Sequence, residues 1–141
     1  PIFMNKKQKS LTNKGFSLVE LIIVIAIMAV LVGVLAPQYL KYVKRSKVST
    51  DIQNAEEIAT AINVAISDGK AGSITGINNG TPTTAGTAVG GLDGFTAMPT
   101  SRCDSSYSWT VTWDATNGVT NITLGGTEIY PTNTAYHTAN D

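Results

Sequence analysis

Lys14-Gly15-Phe16-Ser17-Leu18-Val19-Glu20-Leu21 is the stretch that decides the reading of this chain. Upstream of it, Lys6, Lys7 and Lys9 join Lys14 in a basic, polar leader that has no acidic residue. Downstream, the run from Phe16 to Ala36 is apolar but for Ser17 and Glu20. Its 21 residues suffice, as a helix, to cross roughly 30 Å of hydrocarbon. Glu20 is out of place there. A carboxylate in a spanning helix costs roughly 2.5–3.5 kcal/mol at mid-bilayer, less near the interface, and a segment selected only for anchoring avoids it. Glu20 therefore needs a cationic partner. No side chain within a helical turn of it supplies one.

Beyond Ala36 the pattern changes. Val48, Ile52, Ala55, Ala59, Ile62 and Ile66 recur every three or four residues, a narrow helical stripe. Asp51, Gln53, Glu56, Glu57, Thr60 and Asn63 are assigned to the polar side. Gly69 after Asp68 reads as a helix stop. Pro37, four residues after Gly33, removes a backbone donor and crowds a carbonyl, so a kink or weakening is expected between them. One helix from Phe16 to Asp68 would be about 80 Å long at about 1.5 Å per residue. That exceeds a compact domain of this size, so its first half is expected to enter a membrane or other subunits.

Residues 69–141 are rich in Thr, Gly, Ser and Asn. Tyr107 to Trp113 alternates strictly, with Tyr107, Trp109, Val111 and Trp113 on one face. Asp114 to Gly118 reads as a turn, Val119 to Leu124 as the return strand with Thr120, Ile122 and Leu124 on one face, and Thr127 to Tyr130 as a short third strand stopped by Pro131. The apolar face of this antiparallel meander is expected to cover the Val48–Ile66 stripe. Gly69 to Ser106 reads mostly as loop, with a short strand near Gly91–Ala97.

Composition excludes several functions. The chain has 141 residues, enough for one ordinary domain, with ten basic and ten acidic residues. This zero net charge gives no support to nucleic-acid binding. Loss of residues 1–15 would remove four lysines and no acid, leaving a net charge of −4. One cysteine and one histidine rule out an internal disulfide and argue against a zinc site. No nucleotide fingerprint, phosphate loop or nucleophile elbow is present, so neither catalytic, cofactor nor metal residues are assigned. His137 lies near the chain end, and Asp93, Asp104, Asp114 and Asp141 lack the dense spacing of a calcium loop.

The segment from Lys14 through Pro37 resembles the type IV pilin signature, which pilins share with the pseudopilins of secretion and DNA-uptake systems. The resemblance implies an α+β, pilin-like fold with a long N-terminal helix packed by its second half on a small antiparallel sheet. It implies three regions: a leader over 1–15, a membrane or filament-core helix over 16–36, and a globular domain over 37–141, with an amphipathic helix over 37–68 and loop and meander over 69–141. It implies cleavage between Gly15 and Phe16 by a prepilin peptidase, N-methylation of Phe16, and pairing of Glu20 with the amine of a neighbouring subunit. At about 4 Å and an effective dielectric of 20 such a pair is worth about 4 kcal/mol before desolvation. Gly33 and Pro37 match the segment that loses helicity in filaments. The implied partners are like subunits, membrane lipid, the peptidase, and an inner-membrane assembly platform with a cytoplasmic ATPase. The implied product is a structural pilus subunit, a membrane protein before assembly and extracellular after it, and not an enzyme. The alternatives are a pseudopilin, or a secreted binding domain with an ordinary signal peptide cut after Ala36. Against the latter stand Pro37, the length of the apolar run and Glu20.

Overall fold

The computed structural model describes Gly15 and residues 17–141. Helix α1 runs Leu18–Ser67. Its described part begins at Leu18, where the Ser17 hydroxyl accepts the Glu20 N–H at 3.2 Å and caps the first turn. It ends one residue before the expected Asp68. Gly69 takes φ +72°, its N–H donates to Ile66 O, and the Lys70 N–H donates to Ala65 O. These are the paired bonds by which a left-handed glycine closes a helix, a conformation costly for any residue with a Cβ.

The chain divides after Leu40 into two units. In the first, helical backbone continues through Gly33 and Pro37. No described side chain up to Leu40 is buried. Among the described residues, Leu18–Ser67 is the one helix long and apolar enough to cross a membrane, and its apolar window is wholly exposed.

The second unit, Lys41–Asp141, holds the core. Four antiparallel strands lie in the order β1 (Pro82–Thr84), β2 (Ser108–Asp114), β3 (Gly118–Leu124) and β4 (Thr127–Tyr130). Val48, Ala55, Ile58, Ala59 and Ile62 of α1 are buried in one cluster with Trp109, Val111, Ile122, Leu124 and Ile129 of the sheet. The meander therefore covers the stripe, as its alternation predicts. Each large aliphatic side chain removed from water there contributes about 1.5–3 kcal/mol. The indole N–H of Trp109 donates to Pro99 O at 2.8 Å, so its one polar group is satisfied in the core.

Three sequence expectations are corrected. The extra strand is Pro82–Thr84, not Gly91–Ala97; the latter region contributes only Ala97, in the isolated bridge Ala88–Ala97. A three-residue edge strand led by proline has too little alternation to be read from sequence. On β3 the buried set is Val119, Ile122 and Leu124, not Thr120, Ile122 and Leu124. The register with β2 shifts between Thr112 and Trp113, so that Trp113 faces Val119 and Thr120 is the extra residue. A bulge inverts the side-chain alternation on one side of it. Finally, Thr134–Asn140 forms a helix, α2, where a loose end was expected, with Tyr136 buried beneath it.

The β2–β3 connection occupies Asp114 to Gly118 as read. The Asp114 carboxylate accepts the Thr116 and Asn117 N–H groups, and Gly118 has φ +75°. A Cβ at Gly118 would lie 2.4 Å from Asn63 Oδ1, the atom that accepts the Val119 N–H. Gly118→Ala is therefore expected to destabilise the fold by about 1–3 kcal/mol, through backbone strain and displacement of that bond. Urea denaturation measures it.

Candidate functional site

The residues singled out by the sequence fall at two places on α1. At its start, Gly15 lies exposed in a bend. Phe16 lies outside the described residues. Ser17, at the N-cap, and Glu20, three residues on, form the Ser-x-x-Glu arrangement of a helix start. Glu20 is exposed and stands in the first turn, where the unpaired N–H groups of the helix favour a negative charge. From Leu21 to Leu40 the described helix carries no other charged side chain. Glu20 is thus a single carboxylate at the head of an uncharged, exposed apolar surface. Gly33 and Pro37 are about 20 Å and about 26 Å further along, at about 1.5 Å per residue, and share no site with it.

The structure assembles a second polar centre that the periodicity misses. Asp51, assigned to the polar side of α1, is fully buried. Its Oδ2 accepts the Ser101 hydroxyl at 2.6 Å and the Tyr136 phenol at 2.5 Å, and its Oδ1 accepts the Arg102 N–H at 2.8 Å. The Cys103 N–H reaches Oδ2 at 3.3 Å. One carboxylate thus fastens α1 to the segment at 101–103 and to α2. Burial pushes its pKa up, but the bonds from Ser101, Tyr136, Arg102 and Cys103 outweigh it and hold the group below the usual carboxylate range. Tyr136 is shifted the other way, by burial and by its donation to Asp51. A signal was present: Asp51 lies three residues after Val48 and four before Ala55, the spacing of a core position. Its polarity masked it, because donors fifty residues or more away are invisible to local pattern.

The other flagged side chains have structural roles. Cys103 is half-buried beside Asp51, and burial pushes its thiol up, away from a reactive thiolate. Asp104 accepts the Ser106 N–H and hydroxyl, and Asp114 caps its own turn. His137 sits 3.2 Å from Asp141 on the exposed side of α2.

Residues 11–36 match the family model described as the prokaryotic N-terminal methylation motif. The chain is 45% identical over 60 residues to a type IV major fimbrial protein of Dichelobacter nodosus, covering 43% of this chain and 38% of that one. It is 40% identical over 58 residues to a fimbrial protein of Pseudomonas aeruginosa, covering 41% and 38% of the two chains. It is 35% identical over 86 residues to fimbrial protein Q of Moraxella bovis, covering 57% and 55%. The chain thus spans about two-fifths to about half the length of these relatives. No solved structure matches.

The Asp51 centre predicts an acid-labile domain. Its folded-state pKa lies below the unfolded value of about 3.9, so its stabilisation is complete above about pH 5 and is lost as pH falls through the folded value. Asp51→Asn is expected to lower stability at pH 7 by about 2–3 kcal/mol and to flatten the loss in acid. Urea titrations at pH 3 and pH 7 give both quantities.

Proposed function

We infer, from the likeness of its N-terminal portion to type IV fimbrial proteins, that the protein is a structural subunit of a type IV pilus and not an enzyme. It is made as a single-pass membrane precursor with a basic leader over 1–15. A prepilin peptidase cuts between Gly15 and Phe16, and the new amine of Phe16 is methylated and stays charged. The segment over 16–36 then leaves lipid and packs against the same segment of other subunits, drawn from the membrane by an assembly platform with a cytoplasmic ATPase. The globular part over 37–141 becomes the outer surface of the fibre.

The observation that carries this reading is Glu20, one carboxylate at the head of an exposed, otherwise uncharged apolar helix. Two such helices packed side by side have almost no polar feature to choose a register. A charge near the helix start chooses one. It is stable only where the cationic end of a neighbour meets it, and every slipped register leaves both charges unpaired in an apolar setting. Removal of the leader creates that cation, so cleavage both frees the helix end and arms the contact. Gly33 and Pro37 supply a second property. A glycine and a proline one turn apart weaken the backbone ladder, and the helix there yields when neighbouring helices compete for space. The likeness to fimbrial proteins supports the same reading over this segment.

Two measurements test it. Intact mass of the extracellular form is expected to begin at methylated Phe16; a form that keeps Lys14-Gly15 and polymerises normally overturns the reading. Glu20→Gln is expected to leave membrane insertion unchanged and to lower surface fibres by at least about 100-fold, as expected when about 4 kcal/mol of register-setting attraction is lost. Electron microscopy of sheared fractions, with membrane fractionation as control, reads the result.

A further inference from the structure

On the second unit, the exposed side of α1 forms one wall of a cleft of about 550 Å³. Glu56 and Glu57 rim it, with Ala61 and Val64 one and two turns further along the same side. Asp93 and Phe95 of the facing loop close the other wall. The cleft is therefore acidic at its edge and apolar at its floor, and Val64 is 45% exposed there.

The chain also carries the complement. Outside the leader, four of its six basic residues are Lys41, Lys44, Arg45 and Lys47, all exposed, with Tyr42 69% exposed among them. Among the described residues the one ion pair is His137–Asp141, so neither these cations nor Glu56, Glu57 and Asp93 are paired with any of them. Helix geometry explains why. Lys47, the nearest of the four, is nine residues before Glu56, about 14 Å at about 1.5 Å per residue, beyond the reach of the two side chains. Asp51, one turn from Lys47, is committed to Ser101, Arg102, Cys103 and Tyr136. A rigid helix thus holds the two charge sets apart in one copy and presents both to a second.

We propose that the acidic cleft receives the Lys41–Lys47 segment of a second copy of this chain. The cations meet Glu56, Glu57 and Asp93, while Tyr42 and the lysine stems cover Val64 and Phe95. Cleft and basic segment are different surfaces, offset by about 18 Å between Lys44 and Glu56, so between parallel copies the contact is head-to-tail and can repeat along a fibre. Its place in a fibre rests on the pilus reading above; the contact itself does not.

Two experiments on the full chain test it. Lys44→Glu with Arg45→Glu, or Glu56→Lys with Glu57→Lys, is expected to lower sheared fibre yield about tenfold and to make the remaining fibres salt-sensitive, whereas all four changes together restore yield to within about threefold. Separately, two Cys103→Ser chains, one with Arg45→Cys and one with Glu57→Cys, are co-expressed and treated in membranes with a short bismaleimide. A crosslinked dimer is expected only from the mixture. Fibres that withstand the reversals, with no crosslink, overturn the contact and leave the pilus reading standing. A crosslink without fibres supports the contact and overturns the pilus reading. Failure of the four-fold reversal to restore yield, with no crosslink, overturns the contact in favour of anionic lipid as occupant of the basic segment.

Discussion

The constraint from which the rest follows is that one helix bears two kinds of apolar surface, and among the described residues only one of them is covered. From Val48 to Ala65 the apolar residues lie on a single stripe, and the sheet closes over it. From Leu18 to Leu40 they lie all round, and none is buried. A small sheet covers a stripe because both are apolar on one side. It cannot wrap a cylinder. The described part of the N-terminal segment is therefore an unfinished core.

The placement of charge follows the same division. Buried charge survives where donors converge on it, as at Asp51, which four hydrogen bonds hold ionised against the cost of burial. Among the described residues Glu20 has no such set beyond the dipole of its helix. The first carboxylate is a fastener within the chain; the second stands exposed at the head of the helix. A charge away from water is tolerated only in the geometry that pairs it, and at Asp51 this turns a cost into positional specificity.

Hydrogen bonding from α1 to distant segments gives the second unit its unity. Asp51 ties the helix to residues 101–103 and to α2, and Asn63 Oδ1 takes the Val119 N–H at the head of β3. Asn79 bonds Trp113 in both directions across the sheet edge. Much of Gly69 to Ser106 has little regular structure, and such bonds, with buried Ile77, Val89, Leu92 and Met98, hold it in place.

Local pattern was enough to determine the long helix, the meander and most of the face each presents, because burial on one side writes a period of 3.6 or 2 into the residues. It also determined the lone carboxylate at Glu20, since one polar residue in an apolar run stands out without any partner in view. Tertiary structure alone decided the bulge that exchanges Thr120 for Val119 in the core, the short edge strand Pro82–Thr84, the helix at Thr134–Asn140, and the burial of Asp51. Each depends on atoms far away along the chain. A bulge is set by the partner strand, an edge strand by the sheet that receives it, and a buried carboxylate by donors that only the folded chain brings within 3 Å or so of its oxygens.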